Sequence, residues 1–159
     1  MITQTELKLL FDYVDGKLIA KTNSKTRKIG QTFCTVTEKG YLKGSVNGKS
    51  YKAHRLVFLY HHGYMPLQID HIDGNPANNL IENLREATSA QNNQNRKAIG
   101  ASNIKGVYWH KQINRWVASI CVNRKNIHLG SFKNIGDAAS VATQARQKLH
   151  GEFARRQAS

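Results

Sequence analysis

Three features of this 159-residue sequence predict an α+β fold in two parts. Short strand-like runs fill the first part, a loop-rich stretch follows at 69–87, and a basic segment of three strand-like runs ends in an Ala-rich helix. Hydrophobic residues make up 40% of the chain, which is enough for a core and excludes a wholly disordered protein. A chain of this length can form one ordinary domain or two small ones.

Two β-hairpins are predicted before residue 53, each at a dipeptide suited to the positive φ angles of a type I′ turn. These dipeptides are Asp15-Gly16 and Asn47-Gly48. The predicted strands are Leu7–Val14 with Lys17–Ala20, and Tyr41–Val46 with Lys49–Lys52.

The apolar run within His54–Gly63 is compatible with a helix or a buried strand. A helix that ends near Gly63 is favoured, because Pro66 prevents continuation. Residues 69–87 are dense in Asn, Asp, Gly and Pro, which predicts mostly loop. A second, short helix is predicted after Thr88, an acceptable N-cap residue, to about Lys97. The small and polar residues 98–105 form a predicted linker.

Three strands and a helix are predicted after this linker. The strands are Val107–Lys111, Arg115–Val122 and Asn126–Phe132, and the helix is Ile135–His150 with an Asn134–Asp137 capping box. Ala138, Ala142, Ala145 and Leu149 recur at helical spacing and form the predicted packing face. Strand alternation assigns seven residues to the sheet face under this helix: Val107, Trp109, Trp116, Ala118, Ile120, Ile127 and Leu129.

The charge of the chain indicates a polyanionic partner. The net charge is +14, and no Asp or Glu occurs between Glu86 and Asp137 although Lys and Arg recur there. Nucleic acid is the leading candidate, because neutralising phosphates and releasing their counterions provides most non-specific affinity. The alternative is a basic protein whose charge only keeps it soluble.

The two cysteines, Cys34 and Cys121, lie far apart and form neither a disulfide framework nor a four-ligand zinc site. A reducing, intracellular compartment is therefore expected. The first ten residues have no uninterrupted apolar core, so no signal peptide is predicted. No stretch reaches the length of a bilayer span, and no membrane partner is expected.

Asp70 and His71 are the candidate catalytic pair, followed by Asn92 on the predicted short helix. A carboxylate is a hard ligand for Mg²⁺ or Mn²⁺, and a neutral histidine beside it can deprotonate a water. The amide carbonyl of Asn92 offers a second oxygen ligand. By itself, however, Asp70-His71 with the Asn-rich residues that follow has the composition of an ordinary Asx turn.

With Asn83, Thr88 and Asn92 at their spacing, the stretch from about Gly40 to Arg96 resembles the HNH (His-Me finger) nucleases, a ββα-metal module found in phage and intron-type homing endonucleases. The resemblance implies that His71 is the general base, that Asp70 and Asn92 bind one Mg²⁺ or Mn²⁺ ion, and that Asn83 orients His71. Because the last motif position is Asn92, this would be the H-N-N variant. The implied products carry a 5′-phosphate and a 3′-hydroxyl.

Residues 106–153 resemble the AP-two/ERF DNA-binding domain, a three-stranded antiparallel sheet packed on one helix. The matching residues include Gly106-Val107, Arg115–Ile120, Leu129–Phe132, Asp137–Ala139 and Lys148–Gly151. The resemblance implies that the open sheet face enters the major groove. Expected DNA contacts are Tyr108, His110, Arg115, Ser119, Cys121, Arg124, Lys125 and His128, with Arg55 and Arg96 from the first module.

The predicted organisation is thus an N-terminal β-hairpin extension at 1–39, a nuclease module at 40–97, a linker at 98–105 and a DNA-binding domain at 106–153. The predicted activity is metal-dependent hydrolysis of double-stranded DNA, by nicking or double-strand cleavage, in a phage homing endonuclease acting in the host cytoplasm. Deleting residues 103–159 is expected to weaken DNA binding without abolishing cleavage. A DNA-binding regulator with an inactive module and an RNA-binding protein are the alternatives, and monomer and homodimer both stay open.

Overall fold

The computed structural model describes residues 1–25, 27–98 and 100–154. Thr26 of the predicted extension, Ile99 of the predicted linker and residues 155–159 lie outside the described residues. The fold is α+β, as predicted, and the chain divides into two compact units, Met1–Thr88 and a second unit that begins at Ser89. No helix in the described ranges has both the length and the apolar character required to cross a membrane.

The first unit begins with helix α1, Gln4–Leu10, where the sequence predicts part of a strand. Thr3 and Glu6 form a capping box, in which the Thr3 hydroxyl accepts from the Glu6 N–H and the Glu6 carboxylate accepts from the Thr3 N–H. This reciprocal cap satisfies two backbone donors that a strand would leave to other partners. The strand prediction for Leu7–Leu10 is therefore wrong.

Both predicted hairpins are confirmed. Strands β1, Phe11–Val14, and β2, Lys17–Ala20, flank Asp15 and Gly16 with φ angles of 47° and 76°. A second sheet has the order β3 (Thr35–Val36), β4 (Leu42–Val46) and β5 (Lys49–Lys52), and Asn47 and Gly48 at its β4–β5 turn have φ angles of 50° and 74°. These positive angles are those of a type I′ turn.

Helix α2, Ala53–His62, confirms the predicted helix and ends where Gly63 adopts the left-handed conformation. Its buried face packs with residues from the start of the chain. The largest fully buried side chains of this core are Leu7, Phe11, Leu18, Phe33, Leu56 and Val57. Residues before position 40 therefore belong to the same hydrophobic core as α2.

A two-stranded antiparallel sheet completes the first unit. Strand β6, Ile69–His71, pairs with β7, Leu84–Glu86, and a 3-10 helix at Ile81–Asn83 precedes β7. The register places Asp70 opposite Arg85. The loop-rich segment thus folds back on itself so that both of its ends are tied by strand pairing.

The second unit contains helix α3, Ser89–Asn95, and a sheet of order β10-β9-β8 covered by helix α4, Ile135–His150. The strands are β8 (Val107–His110), β9 (Arg115–Val122) and β10 (Lys125–Phe132), close to the predicted bounds. The core consists of Val107, Ala118, Ala138 and Ala142, where small helix residues allow α4 to lie close to β9.

The sequence interpretation of α4 needs three corrections. The Asn134 side chain makes no capping hydrogen bond, so the predicted capping box is absent. Leu149 is 47% exposed, and the third buried position after Ala138 and Ala142 belongs to Arg146 at 5%. Ala138, Ala142 and Arg146 are spaced four residues apart, so they lie in one row along α4. Leu149 lies outside this row and is not part of the packing face.

The predicted sheet faces also need correction. Trp109 and Ile127 are 43% and 44% exposed rather than core residues, whereas Val117 on the predicted open face is 2% exposed. Trp109 and Ile127 lie on the outer strands β8 and β10, and Val117 lies on the central strand between Tyr108 and Ser131. Burial in a three-stranded sheet therefore depends on strand order as well as on alternation.

Gly44 in β4 lies against the ring of Phe33, and a Cβ atom at this position would be 2.6 Å from the Phe33 Cζ atom. We expect Gly44→Ala to lower the free energy of unfolding by about 1–3 kcal/mol, because the well-packed ring has to move. Thermal unfolding followed by circular dichroism measures this change. Gly136→Ala in α4 is the control, since nothing lies within 4 Å of its added Cβ. Equal melting temperatures for both variants would contradict the proposed overpacking.

Candidate active site

Strand β6 buries both residues of the predicted catalytic pair. Asp70 is 7% exposed and His71 is 6% exposed, and both are hydrogen-bonded. Consecutive strand residues point to opposite faces of a sheet, so the carboxylate and the imidazole meet different surroundings. Burying a polar side chain without a hydrogen-bond partner costs free energy. The partners of Asp70 and His71 offset this cost.

Asn79 is the side chain that contacts His71. Its Oδ1 atom lies 3.1 Å from His71 Nε2, and Asn79 itself is 2% exposed. With the amide oxygen as acceptor, Nε2–H donates, and Nδ1 is the ring nitrogen that carries the lone pair in this tautomer. The contact therefore selects both the orientation and the tautomer of the imidazole.

Asn83, to which the family resemblance assigns the orienting role, makes other side-chain contacts. Its side chain accepts a hydrogen bond from the Asp73 N–H and donates to the Asp73 carboxylate and to the Asn78 carbonyl. Asn83 ends the 3-10 helix, so it faces the turn that follows His71 rather than the imidazole. It closes the loop that places Asn79. The sequence signal that was missed is the pair Asn78-Asn79 inside this loop.

The N-terminal hairpin supports the segment that contains Asn79. The Tyr13 hydroxyl accepts a hydrogen bond of 3.0 Å from the Ile81 N–H. At the β1–β2 turn, Gly16 packs so closely that a Cβ there would lie 2.9 Å from the Leu80 nitrogen. The N-terminal hairpin thus holds in place the loop that carries Asn79, a role that the sequence did not indicate.

Two aromatic rings lie beside His71. The His54 ring is 5.0 Å away in an edge-to-face arrangement, and the Tyr41 ring is 6.0 Å away. Burial lowers the pKa of His54 to about 3, so this ring is neutral at pH 7. Burial also lowers the pKa of His71, an effect opposed by the Asn79 hydrogen bond and by the charges of Asp73 and Asp70.

Asp73 belongs to the loop and not to the catalytic pair. Burial acts to raise the pKa of this carboxyl, but hydrogen bonds from Asn75, Asn78 and Asn83 outweigh it and lower the pKa. The ionised Asp73 is the centre of an Asx-type turn, as its Asn-rich surroundings suggest.

Asp70 forms an ion pair with Arg85 from the neighbouring strand. Its Oδ2 atom accepts from Arg85 Nη2 at 2.8 Å and from Arg85 Nε at 3.0 Å, and both side chains are largely buried. Arg85 was missed in the sequence, where its position opposite Asp70 depends on strand register. An ionised carboxylate has about four acceptor sites, so this pairing is compatible with a metal ligand.

Asn92 lies half-buried on α3, in the second compact unit. Lys105 binds the end of this helix, where its Nζ atom donates to the carbonyls of Asn93, Gln94 and Arg96 within 3.0 Å. An ammonium group at the carboxyl end of a helix satisfies unpaired carbonyls and is favoured by the helix dipole. Lys105 therefore attaches α3 to the start of the C-terminal sheet.

The available donors decide which metal fits. Within the described ranges there is no cluster of three His, Cys, Asp or Glu side chains that could hold a metal ion. Asp70 and Asn92 offer a carboxylate and an amide oxygen, both hard ligands. Mg²⁺ characteristically takes one or two such protein ligands and completes its shell with water and phosphate oxygens. The oxygen atoms of these two side chains are of the ligand type that Mg²⁺ and Mn²⁺ take.

The predicted DNA contacts differ in exposure. Arg55 is half-buried and donates to the Leu67 carbonyl at 3.3 Å, which is a structural contact. His110, Arg115 and Ser119 are half-buried, and the exposed group comprises Arg96, Tyr108, Cys121, Arg124, Lys125 and His128. Ser119 pairs with His128 in register, so these two share a sheet face. Their contact with DNA stays a prediction.

Comparisons with known proteins agree on both parts of the chain. A family model described as HNH endonuclease matches residues 51–94, and a model described as AP2 domain matches residues 102–152. Protein 3.8 of Escherichia phage T7 is 35% identical over 89 residues, which cover 55% of this chain and 73% of that protein.

Two further relatives are named as endonucleases. The uncharacterized HNH endonuclease L560 of Acanthamoeba polyphaga mimivirus is 35% identical over 64% of this chain and 54% of its own length. The DNA endonuclease I-HmuI of Bacillus phage SP01 is 42% identical over 41% of this chain and 38% of its own length.

A solved structure of the HNH homing endonuclease I-HmuI, described as binding and cleaving DNA, covers 84% of this chain and 72% of that one. It is 23% identical to this chain and has a TM-score of 0.41.

The segment matched by the HNH endonuclease model, residues 51–94, contains the buried pair Asp70-His71. The chain belongs to the HNH endonuclease family, and its C-terminal part is an AP2 domain.

Removing the contact to the imidazole separates the roles of two asparagines. We expect Asn79→Ala to slow single-turnover DNA cleavage by about 10- to 100-fold, because His71 loses its orienting acceptor. Asn83→Ala removes loop contacts and should mainly lower the melting temperature. Rates on a plasmid substrate, taken at temperatures where circular dichroism shows both variants folded, measure the difference. A larger rate loss for folded Asn83→Ala would restore the sequence-based assignment.

Proposed function

We propose that this protein is a metal-dependent endonuclease that hydrolyses phosphodiester bonds in double-stranded DNA. The observation that carries the proposal is the buried pair Asp70-His71, with His71 held by Asn79 and Asp70 held by Arg85. This arrangement lies in the segment matched by the HNH family model. The proposal is supported by the net charge of +14 and by the AP2 domain.

His71 is the proposed general base. Its Nδ1 atom would take a proton from the attacking water, while Nε2–H remains bonded to the Asn79 oxygen. Asn79 is then a positioning residue, and the His54 and Tyr41 rings limit the movement of the imidazole. A general base needs a defined orientation toward the water that it activates, and these neighbours provide it.

Asp70 and Asn92 are the proposed ligands of one Mg²⁺ or Mn²⁺ ion. Asn92 is assigned from the family pattern and Asp70 from both the pattern and its buried carboxylate. When bound, the ion would stabilise negative charge on the scissile phosphate and on the leaving 3′ oxygen. Arg85 keeps the Asp70 side chain in one orientation. The proposed products carry a 5′-phosphate and a 3′-hydroxyl.

The relatives support DNA as the substrate and a phage setting. I-HmuI is named a DNA endonuclease, and the T7 and SP01 relatives are phage proteins. We infer a homing-type endonuclease that acts in the cytoplasm of a bacterial host. A monomer with one such site would cut one strand in each binding event, whereas a homodimer would allow double-strand cleavage.

Substitution of the catalytic pair tests the activity. We expect His71→Ala and Asp70→Ala to lower the rate of plasmid nicking or linearisation by at least about 100-fold in Mg²⁺, and EDTA to abolish wild-type cleavage. Duplex affinity should be nearly unchanged, because neither residue is proposed to contact DNA phosphates. Gel analysis of supercoiled plasmid and fluorescence anisotropy with a labelled duplex measure these two effects. Wild-type protein that leaves plasmid intact across metals and salt concentrations would refute the proposal.

The position of α3 changes the expectation for the C-terminal domain. This helix has seven residues, too few to be stable in isolation, and it belongs to the second compact unit. Removing residues 103–159 would take away Lys105 together with the sheet. We therefore expect the truncated chain to lose cleavage as well as DNA affinity, contrary to the separable modules that the sequence suggested.

A point substitution isolates this effect. We expect Lys105→Met to slow cleavage by about tenfold, because the carbonyls at the end of α3 lose their donor and Asn92 loses its fixed position. If Lys105 acts through α3, adding this change to Asn92→Ala should cause no further loss. Lys111→Met removes the same charge from an exposed turn and is the control. If the cleavage rate of the double variant falls by the product of the two single losses, Lys105 acts independently of Asn92.

A further inference from the structure

A cavity in the second compact unit has no part in the proposed catalysis. Its volume is about 790 Å³, and it lies between α3, strand β9, the β9–β10 turn and the end of α4. Three of its lining residues are cationic, Lys105, Arg124 and Arg146, and His150 lines it as well. No Asp or Glu lines it among the described residues. A concave surface with charges of one sign concentrates the field that an oppositely charged ligand meets.

Arg146 is the unusual member of this set. It is 5% exposed, and its hydrogen bonds go to the Ala142 carbonyl and to the Thr143 hydroxyl, both neutral acceptors. No carboxylate of the described ranges pairs with it, and burial lowers the pKa of its guanidinium. A buried charge is costly without a counter-charge, and two of five N–H donors are satisfied here.

The paired arginine of the first unit provides a direct comparison. Arg85 is also largely buried, and it makes two hydrogen bonds with the Asp70 carboxylate. Arg146 has the same chemistry and similar burial but no carboxylate. Among the described residues, Arg146 therefore lacks the anionic partner that Arg85 has.

His150 presents a second polar atom without a partner. Its Nε2 atom lies 3.1 Å from the Cys121 carbonyl, which can only accept, so Nε2–H is the donor. Its Nδ1 atom is buried and has no hydrogen-bond partner within the described ranges. A ligand O–H group that donates a hydrogen bond to Nδ1 would give this atom a partner. Arg124 is exposed at the β9–β10 turn and forms the rim.

We propose that this cavity is a phosphate-binding site, with Arg146 as its buried cation, His150 as a second contact and Arg124 at the entrance. A phosphate group matches it because its oxygens accept several hydrogen bonds at once from a guanidinium. The phosphate is either one in the backbone of bound DNA or a free phosphate. The first source rests on the proposed function, and the second does not.

The test uses the full chain without metal, in EDTA, so that failure of the nuclease proposal does not affect it. We expect Arg146→Met to raise the melting temperature of the ligand-free protein by about 4 °C, because an uncompensated buried charge is replaced by an apolar side chain of similar length. Lys148→Met, on the exposed side of the same helix, removes equal charge and should leave the melting temperature unchanged.

Two ligand arms identify the source. In the first, duplex affinity is measured by anisotropy over a range of salt. For a DNA phosphate, Arg146→Met should weaken binding several-fold and reduce the slope of log affinity against log salt by about 0.9, more than Lys148→Met does. In the second, inorganic phosphate is compared with chloride at equal ionic strength. For a free phosphate, it should raise the melting temperature of wild type but not of Arg146→Met.

Each result decides the proposal. A response in either arm that is lost in Arg146→Met supports the site and names its source. A lower melting temperature for Arg146→Met, with both ligand responses equal to those of Lys148→Met, would overturn it. If Arg146→Met does not fold, Arg124→Met at the exposed rim and the charge-preserving Arg146→Lys replace it. The proposal then requires a weakened response in Arg124→Met and a retained response in Arg146→Lys, and the reverse pattern overturns it.

Discussion

The burial of His71 is the constraint on which the first unit depends. An imidazole that is 6% exposed loses contact with water, so the protein must supply a partner and an orientation. Asn79 provides the partner, and Asn79 is itself almost fully buried. Its segment is held by the Tyr13 hydroxyl and by the close approach of Gly16. One catalytic candidate thus requires the N-terminal hairpin, the Asn-rich loop and strand β6 to fold together.

The boundary between the two compact units lies within the segment that the HNH family model matches. The HNH family match covers residues 51–94, whereas the second unit begins at Ser89. Helix α3, which carries Asn92, is tied by Lys105 to the start of the AP2 domain. We expect cleavage to depend on the folding of the second unit, because that unit carries Asn92, a proposed metal ligand. A short helix such as α3 has no core of its own and depends on packing and capping for most of its stability.

Buried arginines have opposite roles in the two units. Arg85 has a carboxylate partner and keeps Asp70 in place, so its charge is compensated within the chain. Arg146 has two neutral acceptors and lines a cavity in which no described lining residue is a carboxylate. An internally paired charge organises a site, whereas an unpaired one favours an external anion. This difference in pairing, and not burial alone, separates a structural arginine from one available to a ligand.

Local chemistry made much of the fold predictable from the sequence. Asp15-Gly16 and Asn47-Gly48 determined two hairpins, since few dipeptides accept their positive φ angles. Gly63 predicted the end of α2, which the structure confirms. The Thr3–Glu6 capping box is a local signal of the same kind, and it begins α1 where the sequence analysis predicts a strand.

The remaining features depend on contacts between residues far apart in the chain. That Asn79 rather than Asn83 contacts His71 follows from how one loop closes, and both residues are asparagines in an asparagine-rich stretch. That Arg85 pairs with Asp70 follows from the β6–β7 register, and the burial of Arg146 follows from the angle at which α4 meets its sheet. The sequence by itself determined which residue types are available for the chemistry. Only the tertiary structure decided which of them meet, because register, loop closure and helix rotation are properties of the packed chain.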